Sequence, residues 1–367
     1  MAAEKKSIDY IFLTITIILV VAGIFAFFSA SLGVLARDQA KFYQIIISQL
    51  ALGLVGGTIA LYFCSRIPYR FWRNYSGLIL IGGIGLTLLV FVPHLGFSHG
   101  GARRWVSVFG VSFQPVEFLK IAFVMYLATW LSWIKKKSNN PLFGILPFII
   151  LLCIVASILL FQPDTKSLIL MCATGIGLLF LSGFPAKYLL IFGGGAIVVF
   201  LVLAFNTPYL RSRIDTFLNP SSDPTGSSYQ IQQSLIAIGS GQVNGRGFGQ
   251  SIQKFSYLPE PQGDSIFAVI GEEFGFIGST TIVLLYVLFA MRGLWIARRA
   301  PDSFSGLLAS GLVILISLQV FMNIASITGL FPLTGVPLVF MSQGGTSLLI
   351  SMAVVGIILS ISKERKT

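Results

Sequence analysis

Residues 257–294 read YLPEPQGDSIFAVIGEEFGFIGSTTIVLLYVLFAMRGL. From Ser265 onward the run is apolar and exceeds the roughly 20 residues that cross a bilayer as a helix. It is therefore read as a spanning helix that tilts or begins outside the hydrocarbon. Glu272 and Glu273 nevertheless sit inside it, and Asp264 stands at its mouth beside Pro259, Pro261 and Gly263. A charge near a bilayer centre costs roughly 2.5–3.5 kcal/mol on insertion scales. Such carboxylates need partners, water or a task, which points to a membrane enzyme or transporter rather than a scaffold.

The rest of the chain has the same character. Of its 367 residues 55% are hydrophobic and 10% charged, with mean hydropathy +0.87; a soluble domain is nearer a quarter charged. The fold class is an all-α polytopic membrane protein, a single transmembrane domain over 1–367. About ten spans are expected near 9–34, 41–64, 76–96, 115–134, 142–161, 167–184, 186–205, 265–294, 304–324 and 345–362. The net charge of +12 does not indicate nucleic-acid binding. Its cations punctuate the ends of apolar runs, where they orient spans. Cys64, Cys153 and Cys172 lie in or beside apolar runs and read as buried inert thiols, without a disulfide framework.

Lys5, Lys6, Arg66, Arg70, Arg73, Lys135–Lys137, Lys187, Arg292, Arg298, Arg299, Lys363, Arg365 and Lys366 define one set of short loops and ends. With an even span count the positive-inside rule places both termini in the cytoplasm. The first run lacks a cleavage site and reads as a retained helix. Residues 206–264 form a large extracytoplasmic loop between the seventh and eighth helices, with Pro208, Pro220, Pro224, Gly226 and several later glycines. A loop this long in a compact fold is usually functional. Within it Tyr229–Ile238 is amphipathic enough for a short interfacial helix.

The ionisable groups then gather toward the outer face: Arg103, Arg104, Glu117, Lys120, Asp164, Lys166, Glu260, Asp264, Glu272 and Glu273. A transporter needs polar groups near the midplane and a route to both faces, so the asymmetry favours chemistry on a substrate presented outside. Glu117 and Lys120, three apart, pair on one helix face, either as a structural ion pair or with Lys120 holding an anion. Arg103 and Arg104 suit a carboxylate or phosphate. Asp164 suits a helix cap. At most one of Glu272 and Glu273 faces the cavity of Asp264, and one is expected to pair with a buried Lys or Arg; both read as structural support. Asp264 can reach water, a metal ion and a lipid head group together. His94 and His99 lack a matching ligand set for zinc.

GARRW and QPVEFLK (101–105, 114–120), the segment QKFSYLPEPQGDSIFAVIGEE, and GLFPLTGVPLVFMSQGGTSLL (329–349) resemble, in order, motifs of the SEDS family. These are the FtsW/RodA-type multipass proteins of bacterial shape, elongation, division and sporulation. QKF-x-YLPEP is closer to the division form. The chain departs at Val116, at Gln262-Gly263-Asp264-Ser265, where the family often has His-Thr-Asp-Phe, and at QPDTKS in place of QPDLGT. The resemblance implies a peptidoglycan glycosyltransferase of the bacterial cytoplasmic membrane that polymerises lipid II at the outer face. Asp264 falls on the family's essential Asp and would be the general base, undecaprenyl pyrophosphate leaving. It further implies a divalent metal, magnesium or manganese, at Asp264. The implied partners are the nascent glycan chain, a class B penicillin-binding transpeptidase and divisome or elongasome proteins. Arg103, Arg104, Lys120, Glu260, Gln262, Ser342, Gly344 and Gly345 would bind substrate; Glu117, Asp164, Glu272, Glu273 and Asn323 would support the site. The rival readings are a lipid II flippase and a noncatalytic divisome scaffold.

Overall fold

The computed structural model describes residues 7–99, 102–108, 111–137, 142–219 and 228–365. Pro220, Pro224 and Gly226 of the long loop, Gly101 of the GARRW motif, Lys5, Lys6 and Lys366 lie outside them.

Helix α1 (Tyr10–Leu35) starts where the Asp9 carboxylate accepts from the amide of Phe12, 3.0 Å, satisfying a donor the first turn leaves orphaned. Asp38 caps α2 (Gln39–Ile47) in the same way. A π-helical stretch over Ser48–Gly56 carries α2 on into α3 (Gly57–Arg66), so one continuous helix fills the expected second span. After Pro68 comes α4 (Tyr69–Leu88). Then α5 (Pro115–Lys137), α6 (Leu142–Phe161), α7 (Thr165–Leu181), α8 (Ala186–Asn206), α9 (Pro208–Leu218), α10 (Tyr229–Ser240), α11 (Gln253–Ser256), α12 (Ile266–Arg298), α13 (Ser303–Ile327) and α14 (Gly345–Ser362) follow.

Every expected span coincides with a helix. Among the described residues seven are long and apolar enough to cross a membrane, with three shorter apolar helices at Ile145–Phe161, Thr165–Leu181 and Ala186–Val202. The protein is polytopic. One addition amends the all-α expectation: between α4 and α5 the chain makes a three-stranded antiparallel sheet, β1 (Gly96–His99), β2 (Ala102–Val108) and β3 (Val111–Phe113), in order β1-β2-β3. Val106 pairs with Gly96 on one side and Phe113 on the other. Strand alternation over so few residues is invisible beside longer apolar runs.

Helices α5, α13 and α14 form the core. Two thirds or more of the apolar stretch of each is buried (72, 67 and 78%), against 22% for the α2–α3 helix. A helix apolar all round must be buried by protein or lipid, and here the central three take the first course. At one end Asp9 accepts from Arg292 and from Arg365, both at 2.8 Å, and its amide donates to Ser362 Oγ, so the first and last helices are clasped.

The long loop is not structureless. Helix α10 forms where the amphipathic stretch predicts it, burying Ile231, Ser234 and Ala237. Its continuation solves a problem in α12. At Gly275 (φ 65, ψ −160) α12 breaks, which would orphan backbone groups in a low-dielectric interior. The loop satisfies them one for one. Glu272 and Glu273 carbonyls accept from the amides of Arg246 and Gly247, 3.0 and 2.9 Å, while the amides of Phe276 and Ile277 donate to Gln242 and Val243, 2.8 and 3.1 Å. The approach requires glycine, because a Cβ on Gly275 would stand 2.3 Å from the amide nitrogen of Gly245. The expected single helix over 265–294 is thus two segments with a loop woven into the join.

Candidate functional site: a carboxylate among cations

Asp264 closes the loop that precedes α12 and is half-buried. The loop is fixed from several sides. Glu260 adopts the left-handed region (φ 43), sparsely populated for such a residue, and its carbonyl accepts from the amides of Gly263 and Ser265, 2.9 and 3.4 Å. Ser342 Oγ donates to the Gly263 carbonyl, 2.6 Å, and the Gln343 amide to that of Gln262, 2.7 Å. Asn323, on α13, donates Nδ2 to the carbonyls of Asp264 and Val336. From α10, Gln230 Nε2 donates to Asp264 Oδ1 and to Ser265 Oγ, 3.1 and 3.0 Å.

The other carboxylate oxygen lies beside Gly335. This residue has φ 64, and a Cβ built on it would stand 3.4 Å from Asp264 Oδ2, 3.8 Å from Arg213 Nη2 and 4.0 Å from Lys166 Nζ. The missing side chain leaves one small space bordered by a carboxylate and two cations. Lys166 also donates to the Gly335 carbonyl and Arg213 to that of Leu333. Arg104 bonds the carbonyls of Gln162 and Pro163. Arg104, Lys166 and Arg213 line a pocket of about 130 Å³ with Leu210, Phe331 and Leu333 among its apolar walls. Burial pushes the Asp264 carboxyl above its ordinary range; Lys166 and the Gln230 bond pull it back in part, the charge of Glu260 pushes it further up, and Arg213 draws it down.

Another pocket, about 220 Å³, is walled by Leu258–Gln262 and by the facing ends of α1 and α2. Neither carboxylate within α12 lines either cavity, although Lys254, the partner of Glu273, lines the second. Glu273 pairs with Lys254 at 2.7 Å, both buried, and accepts from Ser29 Oγ at 2.6 Å. Glu272 pairs with Arg246 at 3.5 Å and accepts from Ser251 Oγ and the amide of Ile252. Both therefore find a cation, where one was expected: Arg246 comes from the loop that mends the helix break and Lys254 from α11.

The remaining expectations separate in the same way. Arg104 reaches the cationic pocket, while Arg103 is exposed on β2. Lys120 sits in the ion-pair arrangement: its ammonium is buried between Glu117, 2.9 Å, and Gln319 Oε1, 2.9 Å, and it is not among the residues that line the 130 Å³ pocket. Asp164 caps α7, accepting from Ser167 Oγ at 2.8 Å. Gly344 and Gly345 lie against the Ser48–Gly56 segment of the second span. The Gly344 amide donates to Gln49 Oε1 at 2.9 Å, and a Cβ on Gly345 would stand 2.5 Å from the Ser48 carbonyl, so these positions serve close packing. Ser342 holds the loop of Asp264. Lys166, Arg213, Gln230 and Gly335 enter the site unforeseen as a group. Only the tie from residue 333–335 to α7 and α9 reveals them.

A family model described as cell cycle protein, FtsW/RodA/SpoVE, matches residues 9–367. The chain belongs to this family. Stage V sporulation protein E of Bacillus subtilis is 37% identical over 364 residues, covering 99% of both chains. A probable peptidoglycan glycosyltransferase FtsW of Geobacter sulfurreducens is 38% identical over 366 residues, 99% of this chain and 97% of that one. Among solved structures, a chain of a peptidoglycan synthase complex that coordinates polymerization and crosslinking superimposes with TM-score 0.79 at 25% identity, covering 98% of each. The rod shape determining protein RodA of Thermus thermophilus superimposes with TM-score 0.72 at 24% identity, 98% of each chain. The FtsW/RodA/SpoVE fold therefore carries the Asp264 site in this chain.

Proposed function

We propose that this family member is a peptidoglycan glycosyltransferase that polymerises lipid II at the extracytoplasmic face of the cytoplasmic membrane. The observation that carries the residue-level reading is the shared space at Gly335, where Asp264 Oδ2, Lys166 and Arg213 converge. Asp264 acts as the general base, taking the proton of the acceptor sugar's hydroxyl as that oxygen attacks the donor's anomeric carbon with inversion. The bond from that carbon to the diphosphate oxygen breaks, and undecaprenyl pyrophosphate leaves. Charge grows on the departing oxygen, where fixed cations lower the barrier most; Lys166, Arg213 and Arg104 are the cations at hand. The raised pKa of Asp264 makes it a stronger base than an ordinary carboxylate.

Among the described residues no group of three or more His, Cys, Asp and Glu is placed to hold a metal. Magnesium commonly takes one or two carboxylates and completes its shell with substrate phosphates and water. Asp264, with Glu260 close enough to influence its charge, fits that pattern. Such an ion would add charge neutralisation at the diphosphate. A class B penicillin-binding transpeptidase is the proposed partner, supported by the likeness to a chain of a peptidoglycan synthase complex. Both termini are assigned to the cytoplasm.

Purified protein in lipid nanodiscs and proteoliposomes with labelled lipid II tests the reading. Glycan strands that disappear in Asp264→Ala are expected. Translocation without polymer would make the chain a flippase, and neither activity, with the transpeptidase present, would leave a scaffold.

A further inference from the structure

We infer that the 220 Å³ pocket between the α1–α2 ends and the loop of residues 258–262 is the subsite of the attacking saccharide, a lipid-linked disaccharide diphosphate. The inference rests on the glycosyl-transfer reading and deepens it. That reaction joins two substrates that each carry a diphosphate, and two such anions cannot share one small cationic pocket without strong repulsion. The cations converging on Asp264 suit the diphosphate that departs. The second needs its own cations and must still bring a sugar hydroxyl to the same carboxylate.

The other pocket offers cations of its own and shares the loop that carries the base. Its wall, Leu258–Gln262, belongs to the same loop as Asp264 and ends two residues before it in the chain. Arg37 and Lys41 line it; Arg37 is steadied by donating Nε to the Phe255 carbonyl, 3.0 Å, and neither cation has a carboxylate within ion-pair distance among the described residues. Asp38 and Glu260 also line it, but Asp38 accepts from the amide of Lys41, 2.9 Å, and Glu260 from Gln262 Nε2, 3.4 Å. The independent mark of a ligand is Gln262. Its side chain is 4% exposed, yet Oε1 has no hydrogen-bond partner. A buried acceptor left unpaired calls for a donor, and a sugar hydroxyl or N-acetyl amide supplies one. Arg37 and Lys41 hold the diphosphate, Gln262 the sugar.

Two analogues separate the subsites. In a donor-only substrate the attacking hydroxyl is inverted; in an acceptor-only substrate a methylene replaces the anomeric oxygen, keeping the charges but preventing departure. With wild-type protein in nanodiscs, joined product is followed while each is varied. Arg37→Ala/Lys41→Ala, and separately Gln262→Leu, should raise KM for the acceptor-only analogue about tenfold or more and leave KM for the donor-only analogue unchanged, with Arg37→Lys restoring part. A photoreactive acceptor-only analogue should label the peptide of residues 258–262 whether or not turnover occurs. Labelling at Lys166 or Arg213 instead, or a rise confined to the donor-only analogue, overturns the inference. Labelling at 258–262 with no joining in wild type keeps the binding site and rejects glycosyl transfer.

Discussion

Asn323 Nδ2 donates to the backbone carbonyls of Asp264 and Val336, 2.7 Å each, and so ties the loop before α12 to the loop after α13. One amide thereby sets the distance between the proposed base and the Gly335 turn. Replacing it by alanine strips two buried carbonyls of their donor and frees both loops. A misplacement of about 1 Å can cost on the order of 100-fold in rate. Asn323→Ala should lower kcat for glycan synthesis by about 10–100-fold while KM changes little. An unchanged kcat would show that the tie does not position the base.

Removing the carboxylate itself should cost more. General-base catalysis contributes typically 10²–10⁴-fold, so Asp264→Ala should lose about that factor in polymer formation while eluting and melting as a folded protein. Asp264→Asn adds a signed test. Burial raises the folded pKa above the ordinary carboxylate value, so folding binds the proton, and the stability this gives is present below that ordinary value and lost as pH rises through the folded pKa. At pH 7 the amide variant escapes the penalty and should melt higher than wild type, the gap closing in acid. A lower Tm at pH 7 would contradict the burial.

The rate should follow the same group. A base works only when deprotonated, so activity should rise with pH along an acid limb set by Asp264, above the usual carboxylate range. Lys166 favours the ionised form, as does the bond from Gln230. Lys166→Met and Gln230→Ala should each move that limb to higher pH, Lys166→Met also lowering kcat. A limb that stays in place in both would separate these residues from the base.

Lys254 and Glu273 test the scaffold rather than the chemistry. Both side chains are at most 1% exposed and meet at 2.7 Å. Breaking a buried pair by removing one partner typically costs about 3–5 kcal/mol, because the other charge is left alone. Lys254→Met should destabilise by about that amount in chemical unfolding, and Lys254→Met/Glu273→Leu should recover a substantial part. If the double variant is no better than the single, the pair is not what the loop depends on.

Gly335→Ala joins both themes. The methyl must adopt φ 64 and stand 3.4 Å from Asp264 Oδ2. Alanine at positive φ costs more than the 0.4–1 kcal/mol it gains at compatible sites. The variant should melt modestly lower than wild type, but its loss of polymerisation should far exceed its loss of folded protein. Full activity would place the reaction elsewhere.

Helix count and the proposed base were legible in the chain, because apolar run length and a carboxylate at a Pro/Gly-rich margin are local features. The chain left Lys120 open for a physical reason. Its spacing from Glu117 fits either an ion pair or an anion site, and only Gln319, distant in sequence on α13, decides for the pair. Arg213, Gln230 and Gly335 carry no local signal, since an Arg, a Gln and a Gly in loops or short helices read as solvated or as turns. The break in α12 was hidden likewise. Gly275 is one of several glycines in that run, and what makes it the break is the loop from Gln242 to Gly247 that takes up the freed backbone groups.

The sequence by itself determined a polytopic helical protein with an acidic residue at a membrane margin, because hydrocarbon demands long apolar runs and penalises any charge left in them. Only the tertiary structure decided which cations stand beside Asp264 and which are spent on structural pairs. Charges at that range interact through space, and the separation that sets their strength is fixed by packing between segments far apart in the chain.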